Sequence, residues 1–144
     1  MTERLGAYLE VDEFLEAKSA YLGDWRADHL HNTFPAWVAD AIERHARRTP
    51  QERAALAAQR SLRGQRLTRT FHLPDGTRSA VTAARREDER VDRFVPEIGW
   101  IAEAMIAASR NARARHGDLP PAPKRLPNRL SEDRWSDSSG ITQH

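Results

Sequence analysis

The stretch Arg60–Val81, RSLRGQRLTRTFHLPDGTRSAV, carries the reading on which the fold turns. Leu67, Phe71 and Leu73 alternate with Thr68, Thr70 and His72, and Arg69 interrupts the apolar side. Threonine and phenylalanine suit a pleated, half-buried surface, so a strand is predicted over 66–73. Pro74-Asp75-Gly76 then allows two continuations. In the preferred one, Asp75-Gly76 forms a two-residue turn with positive φ, and Thr77–Ala83 returns as the second strand of a hairpin. In the other, Pro74 ends a lone strand and TRSAVTAARREDE is helical.

Around this element the spacing is helical. Tyr8, Val11, Phe14, Leu15, Tyr21, Leu22 and Trp25 share one arc at 100° per residue, which predicts a first amphipathic helix over residues 3–25. Gly23 weakens its end, and Asp24–Asn32 reads as a polar connector. Thr33 caps a second helix, with Pro35 in its first turn and Trp37, Val38, Ala41 and Ile42 on its apolar face. That helix is expected to end near Arg47-Arg48. Thr49-Pro50-Gln51-Glu52 is a capping box and opens a third helix running toward Leu62, with Gly64 as its stop. Pro96 starts a last helix with Ile98, Ile101, Ala102, Met105, Ile106 and Ala112 at helical spacing, closed by Gly117. A short helical piece with Val91, Phe94 and Val95 is expected before it.

The fold class expected is therefore mainly α: three to five helices with one β-hairpin or single ribbon strand near 66–82. Residues 1–117 form one compact helical domain, and 118–144, with four prolines, several serines and no periodicity, form a flexible, disordered tail. The 144 residues carry 39% hydrophobic and 31% charged side chains, which supports a modest core. No cysteine is present, so disulfides, thiolate metal ligands and thiolate catalysis are excluded. The N-terminus lacks the basic and apolar regions of a secretory signal, and no apolar run spans a bilayer. A cytoplasmic protein with no membrane partner is expected.

The net charge of +2 conceals an uneven distribution. Residues 1–32 hold seven acids against Arg4, Lys18 and Arg26, a balance of −4. Residues 44–86 hold eleven arginines against Glu52 and Asp75, a balance of +9. An anionic partner for the middle of the chain follows. Arg53, Arg60, Arg63, Arg66, Arg69 and Arg78 are the candidate phosphate contacts, because guanidinium groups along one surface displace counterions from a phosphate backbone. Thr70 and His72, on the polar side of the strand, are candidate base-edge readers. Asp28-His29-Leu30-His31 has a metal-ligand spacing but no companion ligands, and reads as a polar loop without metal. No phosphate loop, nucleophile elbow or acid–base pair is present, so no cofactor, no catalytic residue and no enzyme are expected. Trp25 and Trp37 fit the core, whereas Trp100 lies off the apolar stripe and Trp135 in the tail, as exposed interface anchors.

RTFHLP, a following helix and VPEIGWIAEAMIAAS together resemble the strand–helix–helix order of ribbon-helix-helix DNA-binding proteins, over residues 66–116. In that family two strands pair across two subunits and read the groove, so the resemblance implies a homodimer. Helices 35–48 and 50–62 followed by a basic hairpin also resemble a winged helix-turn-helix order, with Arg69 and Arg78 on the wing. The leading expectation is a non-enzymatic, arginine-rich DNA-binding regulator or plasmid or phage DNA-maintenance factor. The alternative is a protein-interaction adaptor that engages a protein partner through the acidic N-terminal helix and the tail.

Overall fold

The computed structural model describes residues 1–61 and 63–131. The elements run β1 (Thr2–Glu10), α1 (Val11–Asp28), α2 (Phe34–Arg47), α3 (Pro50–Ala57), β2 (Arg66–Pro74), α4 (Thr77–Glu89) and α5 (Glu97–His116). The protein is mainly α, with one two-stranded antiparallel sheet. No helix of the described residues is long and apolar enough to cross a membrane.

The strand predicted from the opening stretch forms, but its partner is not the segment that follows. β2 pairs with β1, in a register running from Thr2↔Pro74 through Gly6↔Thr70 to Glu10↔Arg66. Thr77–Ala83 is helical instead, because Val81, Ala84 and Asp88 are its buried positions, a helical spacing. Gly76 does use a positive φ, +95°, but as the N-cap of α4, where its carbonyl accepts from Ala80 N–H at 3.1 Å. The turn thus converts a strand into a helix, and neither the hairpin nor the wing is made.

The first helix is the larger correction. Residues 2–10 are strand, and the helix begins only at Val11, where Glu13 Oε1 accepts from Glu10 N–H at 2.8 Å. Leu5, Ala7 and Leu9 alternate into the core, a period of two embedded in a segment that also satisfies the helical arc. The helix then continues past the expected connector to Asp28, and His29 closes it in the left-handed region with its N–H on Trp25 O. Gly23 lies inside α1, and a Cβ there would stand 2.9 Å from Leu119 Cδ2. It makes room for the chain beyond α5.

The caps of the later helices agree with the sequence. Thr33 Oγ1 accepts from Ala36 N–H at 3.2 Å, and Thr49 and Glu52 complete their capping box at 3.1 and 2.8 Å. α3 is shorter than expected and ends at Ala57. The piece around Val91 and Phe94 is a turn leading to extended chain rather than a helix. α5 ends at Gly117, with φ +75°.

Strand–helix–helix occurs twice, as β1–α1–α2 and β2–α4–α5, joined by α3 and the loop after it. The two halves interlock. α1 packs on α5 and α4 on α2, while α5 lies along β1 and α2 along β2. Each strand–helix–helix unit therefore buries its apolar surface on the other. α5 is enclosed by α1, α2 and β1, so Trp100 is fully buried rather than exposed. A helix surrounded on several sides needs apolar side chains around its whole circumference. Trp25 and Trp37 are buried as expected.

Residues 118–131 are not a free tail. They have no regular secondary structure, yet Leu130 is 1% exposed, Leu119 and Leu126 pack on the core, and Leu130 N–H donates to Asn32 O at 2.7 Å. Lys18 on α1 holds this strap through the carbonyls of Pro123 and Lys124, at 3.0 and 3.2 Å. The remainder of the predicted tail, 132–144 with Trp135, lies outside the described residues.

Candidate nucleic-acid interface

The sheet gives the ribbon two unlike faces. Leu5, Ala7 and Leu9 of β1 stand opposite Phe71, Arg69 and Leu67 of β2 on the face toward the helices. The other face carries Arg4, Gly6 and Tyr8 on β1 and, opposite them, His72, Thr70 and Thr68 on β2. Arg66 follows, across from Glu10. Arg4, Thr68, Thr70 and His72 are exposed, and Gly6, Tyr8 and Arg66 are partly so. The Arg66 guanidinium lies over the Tyr8 ring, 5.0 Å from its centroid, a cation–π contact that holds it along the ribbon.

The arginines at every third position do not form one surface. Arg60 lies beyond α3 and donates to Glu13 at 2.8 Å from both Nε and Nη2, and to the Tyr8 carbonyl at 3.0 Å. It is tied to the body of the molecule. Burial would push the Glu13 carboxyl up, but its hydrogen bonds to Arg60 and Glu10 N–H, with the Arg60 and Arg66 charges, hold it below its ordinary value. Arg63 is exposed, and its N–H donates to Glu10 Oε2 at 2.8 Å. Arg66 reaches the outer face of the ribbon, whereas Arg69, three residues on, falls on the inner one. There its guanidinium lies 4.4 Å from the Phe14 ring centroid, and its Nε is buried without a hydrogen-bond partner among the described residues. An odd spacing along a strand switches faces.

Arg53 is removed from the candidates altogether. It is fully buried and bonds to Asp88 at 3.0 Å and Glu87 at 2.9 Å. It also donates to the carbonyls of His45, Ala46, Arg48 and Ala84, so it satisfies the orphan C=O groups at the end of α2. Asp88 is shared with Arg93, which also meets Glu103. The result is a buried polar network joining α2, α3, α4 and α5. Arg78 is exposed at the start of α4, bound to Glu97 at 2.9 Å and to the Arg4 carbonyl at 2.9 Å. It is half engaged.

Thr70 and His72 keep the placement read from the sequence, and Thr68 stands beside them. Arg4 and Tyr8 were not foreseen, since their alternation with Leu5, Ala7 and Leu9 was absorbed into a helical reading. The acids of α1 have partners within the chain: Glu13 meets Arg60 and Asp24 meets His116 in partly buried pairs, and Glu16 meets Arg113 and Asp28 meets Arg115 at the surface. His29 packs edge-on against Trp25 and His31 lies 3.4 Å from Asp40. Among the described residues no group of three or more His, Cys, Asp or Glu is placed to hold a metal ion.

Compared with models of known protein families, with curated proteins and with solved structures, the chain has no significant match.

Proposed function

We propose that the protein binds duplex DNA by laying the outer face of the β1–β2 ribbon into the major groove, as a non-enzymatic regulator or DNA-maintenance factor. The observation that carries this reading is the face itself: Arg4, Thr68, Thr70 and His72 stand exposed on a two-stranded antiparallel ribbon whose other face is packed on helices. A two-stranded ribbon fits the groove, which is about 12 Å wide, and nine residues extend about 30 Å. Arginine donates to guanine O6 and N7, and threonine methyls pack on thymine. The strand–helix–helix order over residues 66–116, which resembles that of ribbon-helix-helix proteins, is present as β2–α4–α5 and supports the same reading. Here the second strand comes from the same chain, so strand pairing does not require a homodimer. The intramolecular pairing of Glu13 with Arg60 and of Glu16 with Arg113 leaves less free charge for an adaptor that would bind through that helix.

The test is a fluorescence-anisotropy titration of labelled random duplex at several salt concentrations, with the intact chain and with Arg4→Ala/His72→Ala. Binding should fall with salt with a logarithmic slope of about −0.9 per phosphate neutralised. The double variant should bind more weakly while its thermal midpoint is unchanged. Absence of binding at low salt, or undiminished binding by the double variant, overturns the proposal.

A further inference from the structure

The ribbon has an approximate two-fold relationship between its strands, centred on the Gly6–Thr70 pair. Under it Arg4 corresponds to Thr68, Gly6 to Thr70 and Tyr8 to His72. In a ribbon made from two copies of one chain, each such pair would be the same residue, and the face would present identical chemistry to both halves of its target. Here no pair on the outer face matches. A guanidinium with five donors stands where the other half has a small hydroxyl and a methyl. A phenol under the Arg66 guanidinium stands where the other half has an exposed imidazole. An absent side chain stands where the other half has Thr70, and a Cβ at Gly6 would already lie 3.0 Å from Thr68 Cγ2 and 3.6 Å from Ile98 Cγ2.

The flanks differ too. The helix end beside β1 opens with Glu97, bound to Arg78, whereas the first turn of α2, beside β2, contains no acid. Register also groups the readers. Arg4 and His72 are directly opposite one another at one end of the ribbon, and Tyr8, Thr68 and Arg66 occupy the other.

Resting on the DNA-binding reading above, we infer that a single chain recognises a duplex site without dyad symmetry. Its strongest base preference, for guanine, lies at the end under Arg4 and His72, and from its centre toward the other end it favours A·T pairs whose thymine methyls meet Thr70 and Thr68. The two halves of the molecule bind different sequences because their reading side chains differ.

The experiment is selection of bound duplexes from a random pool with the intact protein. Anisotropy titration then compares the selected duplex with two derivatives in which either half is repeated as an inverted repeat. A motif without inverted symmetry is expected, bound by one chain, with both symmetrised duplexes weaker by about tenfold or more. Arg4→Ala should relax the preference at one end only. An inverted-repeat motif holding two chains, or loss of preference at both ends in Arg4→Ala, overturns the inference. Tight binding with no sequence preference overturns it while leaving duplex binding standing. Failure to bind any duplex at low salt removes the DNA-binding reading as well, so the two failures are distinct.

Discussion

Arg53 Nε donates to Asp88 Oδ1 at 3.0 Å, and both side chains are shut off from solvent. The pair links α3 to α4 across the molecule, and the same guanidinium closes the carbonyl end of α2. Removing one partner of a buried pair leaves the other charge unneutralised, which costs far more than the pair itself contributes. Arg53→Met should therefore lower the unfolding free energy by about 3–5 kcal/mol. Asp88→Leu in the same chain should recover part of that loss. The recovery is limited because Arg93 then loses its carboxylate at 2.7 Å and the α2 carbonyls remain without donors. Urea unfolding of the two variants measures both values. A loss under 1 kcal/mol in Arg53→Met, on the scale of an exposed pair, would contradict the burial.

Acid should unfold the protein through His45 before it does so through the carboxylates. The ring is fully buried against Trp100, with centroids 4.8 Å apart. Arg48 meets its Nδ1 at 2.8 Å, so that nitrogen accepts and the ring is neutral. Burial holds its pKa below the ordinary 6.5; the nearby Glu103 opposes that shift, and the Arg48 and Arg53 charges add to it. A histidine with a depressed folded pKa leaves the unfolded chain as the better proton acceptor. Stability is then flat above 6.5 and falls as pH drops from 6.5 toward the folded pKa. Glu13, also depressed, adds its loss only as pH falls below the ordinary 4.5. Urea midpoints at about pH 7.5 and about pH 5.5 should differ in the native chain and differ less in His45→Gln. An equal drop in both chains would assign the effect elsewhere.

Some of this architecture was legible in the residues and some was not. Thr33, Thr49-Pro50-Gln51-Glu52 and Gly117 act through neighbours within a few positions, so their caps could be read directly. β1 could not. It passes into α1 with no glycine or proline between Glu10 and Val11, and Leu5, Ala7 and Leu9 fit a period of two while Tyr8, Val11 and Leu15 fit a helix. Its partner lies 56 residues away at the Glu10–Arg66 rung and 72 at the Thr2–Pro74 rung, a relationship that no local pattern records. The same distance problem hid Arg53, whose carboxylate sits 35 positions downstream. For the ribbon face, alternation placed Thr70 and His72 correctly, since it depends only on parity along one strand. It also shows why counting arginines by threes failed: the count joins opposite faces of β2.

The strap over α1 should contribute substantially to stability. Leu130 is 1% exposed, so Leu130→Ala removes a buried side chain and should cost about 2–5 kcal/mol. Lys18 fastens the same strap while nearly buried, and its ammonium is held below its ordinary pKa by burial and by the Arg69 charge. Lys18→Met keeps the stem volume and deletes the donors to Pro123 and Lys124. Amide exchange at Leu130, which donates to Asn32 O, should then quicken relative to the amides of α5. Unchanged exchange there would show that apolar packing alone holds the strap.

Arg66 and Arg69 offer the sharpest separation, because they differ by three residues and lie on opposite faces of one strand. Arg66 follows the exposed readers, held against Tyr8. Arg69 points toward α1, over Phe14, with Lys18 5.0 Å from the same ring. If the outer face meets phosphate, Arg66→Gln should weaken duplex binding and reduce the magnitude of the logarithmic salt slope by about 0.9. Arg69→Gln should leave that slope unchanged. It should instead raise the Lys18 pKa, since a neighbouring positive charge is removed. Parallel anisotropy titrations over a salt series, with unfolding curves for each variant, distinguish the two effects. A slope change in Arg69→Gln with none in Arg66→Gln would mean that the molecule meets DNA through the wrong face of the ribbon, and the groove-reading model would fall.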